Sequence, residues 1–216
     1  MNHRLIRFWK SNKAFLVFLT LMFVFRSSFA DWNAVPTGSM QPTIVEGDRI
    51  LVNKLAYDVR LPFMGVPLFK LADPRRGDIV IFDSSVSKIR LVKRVVGVPG
   101  DVVELKNNQL YINSLPLAYK DISVSDVSVD KVEDLLGIKH MVRINQDGSS
   151  YSSFPAITVP ENNYLVLGDN RDNSSDSRAI GFVPRSEIVG RTRSVVMSLN
   201  YENYFLPRSE RFFKTL

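Results

Sequence analysis

Residues 89–101 read Ile-Arg-Leu-Val-Lys-Arg-Val-Val-Gly-Val-Pro-Gly-Asp, and this stretch decides the fold. Its apolar and branched side chains favour a pleated strand, and Val98-Pro99-Gly100-Asp101 carries the turn chemistry that closes it. In strict alternation Lys93 shares a face with Leu91 and Val95, whereas Arg94 shares the opposite face with Val92 and Val96. One of the two cations must therefore approach the core. Arginine keeps its proton, but a desolvated lysine can lose it, because burial penalises the ammonium form. Lys93 is thus a candidate base. The plainer alternative is a lysine that snorkels from an edge strand.

The same strand-and-turn pattern continues on both sides. Asp48–Leu55 and Asp78–Phe82 read as short strands, as do Tyr164–Leu167 and Arg193–Met197. Leu105–Ile112, with Asn107-Asn108 at its middle, reads as a hairpin. The expected fold is mostly β, with largely antiparallel sheets. Residues 113–162 have weaker periodicity, with a short helix expected around Val132–Leu136, and are read as an inserted subdomain. Leu61–Leu71 (LPFMGVPLFKL) is apolar but broken by Pro62, Gly65 and Pro67. Core packing is expected for it in preference to a rim that touches lipid. The tail Tyr201–Leu216 alternates aromatic and basic residues and is expected to pack loosely or graze anionic lipid.

With 216 residues, 45% of them hydrophobic and 23% charged, the chain can bury one substantial core. The net charge of +6 is largely local to the N-terminus, where Arg4, Arg7, Lys10 and Lys13 lie, so nucleic acid is not an expected partner. The absence of cysteine excludes disulfides, a thiolate nucleophile and cysteine-ligated metals. Only His3 and His140 occur, so a Ser-His-Asp device would depend on His140 alone, and no zinc-type histidine pair exists.

Ala14–Phe25 (AFLVFLTLMFVF) is uncharged, with basic residues before it and Arg26 after it, as in membrane-entering segments. As a helix these residues span roughly 18 Å, against about 30 Å of hydrocarbon. Extension to Trp32, with Arg26 snorkelling and Trp9 and Trp32 at the interfaces, would make it an anchor. The rival reading is a cleavable signal peptide with Ser28-Phe29-Ala30 as the small-x-small site. Either way the basic tail stays inside and the remainder is exported.

Two polar segments complete the candidate chemistry. Val35-Pro36-Thr37-Gly38-Ser39-Met40-Gln41-Pro42-Thr43 places Ser39 in a loop stiffened by two prolines. Taken alone it reads first as a turn serine bonding its own backbone. A serine nucleophile needs a base, and with histidine scarce that base is sought among the lysines. Gly168–Arg178 (GDNRDNSSDSR) offers Asp169, Asp172 and Asp176 but lacks the closing glutamate of a calcium loop and holds two arginines, so a self-satisfied loop of ion pairs is expected and no metal.

Taken in order, PTGSMQPT, GDRILVNKLAY, RRGDIVIF, LVKRVVGVPGD and GDNRDNSSDSR followed by GFVP and VGR resemble bacterial type I signal peptidases over nearly all of residues 14–200. The resemblance implies a coiled antiparallel β-sheet catalytic domain with a small inserted subdomain, preceded by one N-terminal transmembrane helix. Residues 1–13 would form a cytoplasmic tail, 14–31 the anchor, and 32–216 the extracytoplasmic domain with 113–162 as its insertion. The anchor would hold it in the bacterial cytoplasmic membrane. Ser39 matches the nucleophile and Lys93 the general base of a Ser-Lys dyad working through an acyl-enzyme. Ser174 matches the serine that orients the lysine, and Asp176 and Arg178 a supporting ion pair. Thr37, where the family more often has serine, would join the Ser39 N–H as oxyanion donor.

Val35, Pro36, Met40, Leu91 and Val92 flank these atoms and are expected to line shallow pockets that admit only small side chains. Expected partners are exported preproteins with small residues at the first and third positions before the cut, together with membrane lipid. No cofactor is expected. Two departures are visible: many enteric relatives have two membrane segments where this chain has room for one, and 113–162 has no recognisable match. A specialised peptidase for one secretion, pilus or conjugation substrate is the nearest alternative. A non-catalytic, membrane-tethered peptide-binding β module is the alternative of another class.

Overall fold

A computed structural model describes the backbone of residues 3–216 and the side chains of 12–24 and 26–216. Helix α1 (His3–Ser28) runs without an internal proline or glycine. Lys54 Nζ donates to the carbonyls of Arg26 and Ser27, satisfying acceptors that the end of a helix leaves open. The chain then turns, and Ala30–Ala34 forms strand β1 against β2 (Asp48–Asn53). The expected anchor of 14–31 is therefore too long at its C-terminal end, because Ala30 and Asp31 are held in a ladder opposite Asn53 and Val52. Among the described residues no helix is long and apolar enough to cross a membrane.

Beyond β2, strands β3 (Asp58–Arg60) and β4 (Pro67–Lys70) make a separate two-stranded ribbon. There follow β5 (Ile79–Asp83), β6 (Arg90–Gly97), β7 (Val102–Lys106), β8 (Gln109–Ile112) and β9 (Leu115–Pro116). The Asn107-Asn108 turn between β7 and β8 has positive φ at both residues, as its sequence predicts. Next come β10 (Ala118–Val124), β11 (Ser128–Leu135), β12 (Ile138–Asn145), β13 (Phe154–Thr158) and β14 (Asn163–Leu167). Helix α2 (Ser177–Ile180), β15 (Val183–Pro184), β16 (Ile188–Asn200) and β17 (Leu206–Pro207) finish the chain.

Among the described residues the largest sheet runs β1-β2-β16-β5-β6-β14-β15, with β17 on the end of β16, and every pairing is antiparallel. The register slips between Thr192 and Val195 and again before Met197, so the long β16 bends and the sheet curls. A second sheet, β13-β7-β8-β9, packs through Val103, Leu105, Leu110 and Ile112 against Val96, Leu165 and Leu167 of the first. A third, β10-β11-β12, is joined to the rest partly through Leu135 in the same core.

Three expectations need correcting. The helix around Val132–Leu136 is instead strand β11, fixed by ladders to β10 and β12 on either side; those pairings outweigh a weak local preference. Leu61–Leu71 does not fold inward: Phe63, Met64 and Phe69 are 72%, 72% and 69% exposed. With only two strands, the ribbon has no layer to cover it. The tail is tied down in part, with Arg211 gripping both oxygens of Asp48 and the Leu216 N–H bonded to the Arg193 carbonyl.

Candidate active site

The Ser39 turn is built from below. Val35, Met40 and Ile44 are buried beside Ile50, Val52, Ile79, Ile81 and Val195. Burying Met40 alone contributes about 1.5–3 kcal/mol. The backbone is stapled at both ends, with Val35 N–H on the Asp48 carbonyl at 2.9 Å and Ile44 N–H on the Met40 carbonyl at 2.9 Å. Two buried anchors around an exposed Thr37 leave the loop little freedom, and Ser39 lies half-buried at its crest.

Lys93 enters from β6. Strand β14 stops pairing with β6 at Leu167 opposite Arg94, one residue short of Lys93, and the chain turns away at Gly168. The lysine side chain uses the gap so made: it is 2% exposed, and Nζ donates to Ser39 Oγ at 2.6 Å. Burial pushes the Lys93 pKa down to about 8, against the opposing pull of the Asp176 and Asp169 carboxylates. A minor part of the amine is thus unprotonated at neutral pH, and a neutral amine in hydrogen-bond contact with a serine hydroxyl can take its proton.

Gly168 is required by this geometry. A Cβ there would lie 2.2 Å from Ser174 Oγ and 2.5 Å from the Ser39 carbonyl oxygen. The loop that follows clasps the Ser39 turn: Asn170 N–H donates to the Ser39 carbonyl at 3.1 Å, and Asn170 Nδ2 to the Gly38 carbonyl at 3.0 Å. Asp176 accepts from Gly168 N–H at 2.9 Å and pairs with Arg178 at 2.7 Å. Arg178 reaches back to the Arg171 carbonyl, closing the loop on itself. Ser174 departs from expectation. It is buried beside Gly168, yet its Oγ makes no hydrogen bond, so the expected contact to Lys93 is not formed in this geometry.

Lys93 and Arg94 are both buried, not one of the two. Arg94 is held by Asp169 in a two-point ion pair at 2.8 and 2.7 Å, which also accounts for that aspartate. Burial alone would raise the Asp169 carboxyl, but Arg94 outweighs it and holds the pKa below the usual range. A second buried group lies behind the loop. Glu133 of β11 accepts from Arg171 at 2.7 Å and from Tyr119 Oη, and lies 3.2 Å from His140. Burial works against the Glu133 charge, and Arg171 and His140 together keep its pKa well below normal. Sequence reading missed Asn170, Glu133 and the Asp169 partnership, because a partner 38 or 75 residues away leaves no local pattern.

A cleft of about 380 Å³ lies over the pair, lined by Ser39 and Lys93 together with Val35, Pro36, Thr37, Met40, Leu91 and Val92. All five expected pocket residues are therefore brought to it. Trp32 and Ile89 are additional walls that the sequence reading did not select. Ser174, Asp176 and Arg178 are not among the lining residues; they stand behind Gly168. His140 lines a different cavity, so among the described residues no histidine faces Ser39 in the cleft. Among the described residues no cluster of carboxylates and histidines could hold a metal ion.

Fold and site together define a β-sheet peptidase with a serine at the mouth of an apolar cleft. Comparison with known proteins gives the family: residues 8–197 match the profile described as signal peptidase, peptidase S26, and the chain belongs to that family as a serine endopeptidase of the signal peptidase I type. It is 38% identical over 204 residues to signal peptidase I of Pseudomonas aeruginosa, covering 86% of this chain and 71% of that protein. To signal peptidase I of Bacillus amyloliquefaciens it is 33% identical over 189 residues, covering 87% and 84%. A crystal structure of a signal peptidase I from Enterococcus faecalis V583 aligns at 31% identity with a TM-score of 0.37, covering 56% of this chain and 98% of that one.

Proposed function

We propose that this enzyme removes signal peptides from exported preproteins by a Ser39-Lys93 dyad. The observation that carries the reading is the 2.6 Å contact between Nζ and Oγ at a lysine that is 2% exposed. As Ser39 Oγ bonds to the scissile carbonyl carbon, its proton passes to neutral Lys93 Nζ, and the carbonyl oxygen becomes an oxyanion. The Ser39 N–H and the Thr37 hydroxyl stabilise that charge. The C–N bond then breaks, Lys93 returns the proton to the leaving amine, and the acyl group stays on Ser39. A water attacks the ester, giving its proton to Lys93, and Oγ is released with that proton restored. Asp176, Arg178 and Ser174 act indirectly, by fixing Gly168 and the loop that grips the Ser39 turn.

The cleft favours small side chains at the first and third positions before the cut, because Val35 and Met40 are buried in the core beneath it and cannot withdraw. An extended substrate segment would lie between the Trp32–Pro36 segment and the Ile89–Lys93 segment, which together line the cleft. Helix α1 attaches the enzyme to the cytoplasmic membrane, with residues 1–13 inside and the β domain, including residues 113–162 as its subdomain, outside. Its short apolar run needs interfacial help to do so.

The test is to incubate detergent-solubilised wild type, Ser39→Ala and Lys93→Ala with one preprotein, and to treat each with an acylating serine-peptidase inhibitor. Cleavage is expected from the wild type alone, and a mass increase on Ser39 only where Ser39 is present. Substantial turnover by Lys93→Arg would end the dyad scheme, since arginine cannot accept the proton.

A further inference from the structure

We propose that Arg143 of the inserted sheet is a positioning residue for the cleavage reaction: through Gln41 and the backbone of residues 169–171 it fixes the Gly38–Ser39 peptide so that the Ser39 N–H faces the developing oxyanion, a role that rests on the dyad reading. The Gly38–Ser39 peptide is trans, so its carbonyl and its N–H point in opposite directions, and whatever holds the carbonyl aims the N–H. The Gly38 carbonyl accepts from Gln41 N–H at 3.0 Å and from Asn170 Nδ2 at 3.0 Å. Among the described residues the Ser39 N–H has no backbone acceptor, which leaves it for a substrate carbonyl. Both groups that grip the Gly38 carbonyl are in turn held by Arg143.

Arg143 lies on β12, inside residues 113–162, which none of the recognised motifs covers. Its guanidinium is shared between two partners. Nε and Nη2 meet the two oxygens of Asp130, its cross-strand neighbour on β11, at 2.7 and 2.8 Å, and Nη1 reaches out of the sheet to Gln41 Oε1 at 2.9 Å. Asp130 thereby sets the plane of the fork and so the direction in which Nη1 donates. The Gln41 amide packs against Gly38, where a Cβ would lie 3.0 Å from Nε2 and 3.1 Å from Cδ. The Arg143 backbone performs a second task. Its N–H donates to the Asp169 carbonyl and its carbonyl accepts from Arg171 N–H, each at 2.8 Å, so Asn170 is pinned between two bonds to one residue. Thr43 Oγ1 adds a bond from the end of the Ser39 turn to the Met141 carbonyl at 3.3 Å. The pair with Asp130 leaves 30% of the Arg143 side chain open to water, and ion pairs so exposed contribute little to folding. What the fork supplies is direction: it carries the rigidity of a two-strand ladder to the residue two places after the nucleophile.

Detergent-solubilised full-length Arg143→Met, Gln41→Met and the double variant are compared with wild type on one peptide substrate across the pH range of activity, with urea unfolding alongside. Each single variant should lower kcat about tenfold with KM changed less than about twofold, the pattern of a transition-state contact. The double variant should also lose about tenfold, not a hundredfold, because both changes break one contact. The acid limb of the pH profile should stay at its wild-type position, since the N–H and not the lysine is disturbed. Arg143→Lys, which keeps a donor for Gln41, should regain part of the loss. Lys131→Met breaks an ion pair with Asp121 inside the same sheet and should leave kcat unchanged. Losses that multiply in the double variant, or an acid limb displaced in the single variants, would overturn the proposal. A urea midpoint lowered in step with the rate would make Arg143 a structural residue only, and likewise overturn it. Full rates in both single variants, with wild type active and Ser39→Ala inactive, would remove the positioning role and leave the dyad standing. A wild type that cleaves nothing would remove both.

Discussion

Arg94 meets Asp169 through two hydrogen bonds, Nε to Oδ1 at 2.8 Å and Nη2 to Oδ2 at 2.7 Å, with both side chains buried one residue along from Lys93. A planar guanidinium and a carboxylate satisfy each other at two points, so this cation stays charged in the core. Lys93 has no carboxylate bonded to it; its hydrogen bond is to a neutral hydroxyl. Adjacent buried cations of one strand thus differ in partner, a carboxylate for Arg94 and a hydroxyl for Lys93.

Removing Asp169 tests that balance. Asp169→Ala strands a buried guanidinium and should lower unfolding free energy by roughly 3–5 kcal/mol, read by urea unfolding. Pairing it with Arg94→Met should recover most of the loss, because no unpaired charge is then left behind. A double variant no more stable than the single would contradict this account of the pair.

Cleavage should rise with pH through about 8. The Lys93 pKa is lowered to about 8 by burial, so the neutral, reactive amine is the minor form at pH 7 and the major form at pH 9. kcat/KM on a peptide substrate should increase roughly tenfold over that interval. Asp169→Asn removes a negative charge that favours the ammonium form, so its acid limb should move to lower pH. A rate independent of pH between 6 and 9, with chemistry limiting, is the contrary result.

Gly168→Ala should be more damaging than its size suggests. The new Cβ would meet the Ser39 carbonyl at 2.5 Å, and a backbone atom cannot swing aside. A stability loss of about 1–3 kcal/mol is expected, with kcat down on the order of 100-fold as Ser39 is pushed off Lys93. Adding Ser174→Gly would relieve only the contacts with the Ser174 side chain and leave the one with the Ser39 carbonyl, so activity should stay low. Full activity in Gly168→Ala would mean that the clasp on the Ser39 turn is not needed.

Thr37→Val keeps the shape and removes the hydroxyl. If that hydroxyl helps to hold the oxyanion, kcat should fall about 100- to 1,000-fold with KM nearly constant, and Thr37→Ser should restore it. Equal loss in the valine and serine variants would assign Thr37 to packing instead.

The sequence alone determined the strands that carry the chemistry. Short apolar runs bounded by turn residues mark β2, β5, β6 and β14, and the glycine and proline spacing marks the Ser39 turn, because both signals act within a few residues. Scarcity of histidine narrowed the base to a lysine, and order along the chain gave the family resemblance. Tertiary structure alone decided how those pieces meet: that β14 ends one residue short of Lys93, that Arg94 finds Asp169, and that Asn170 clasps the Ser39 turn. It also turned the expected helix at 132–136 into a strand and left the hairpin at 61–71 bare. Burial and long-range pairing depend on which segments end up as neighbours in space, a property no local stretch of residues encodes.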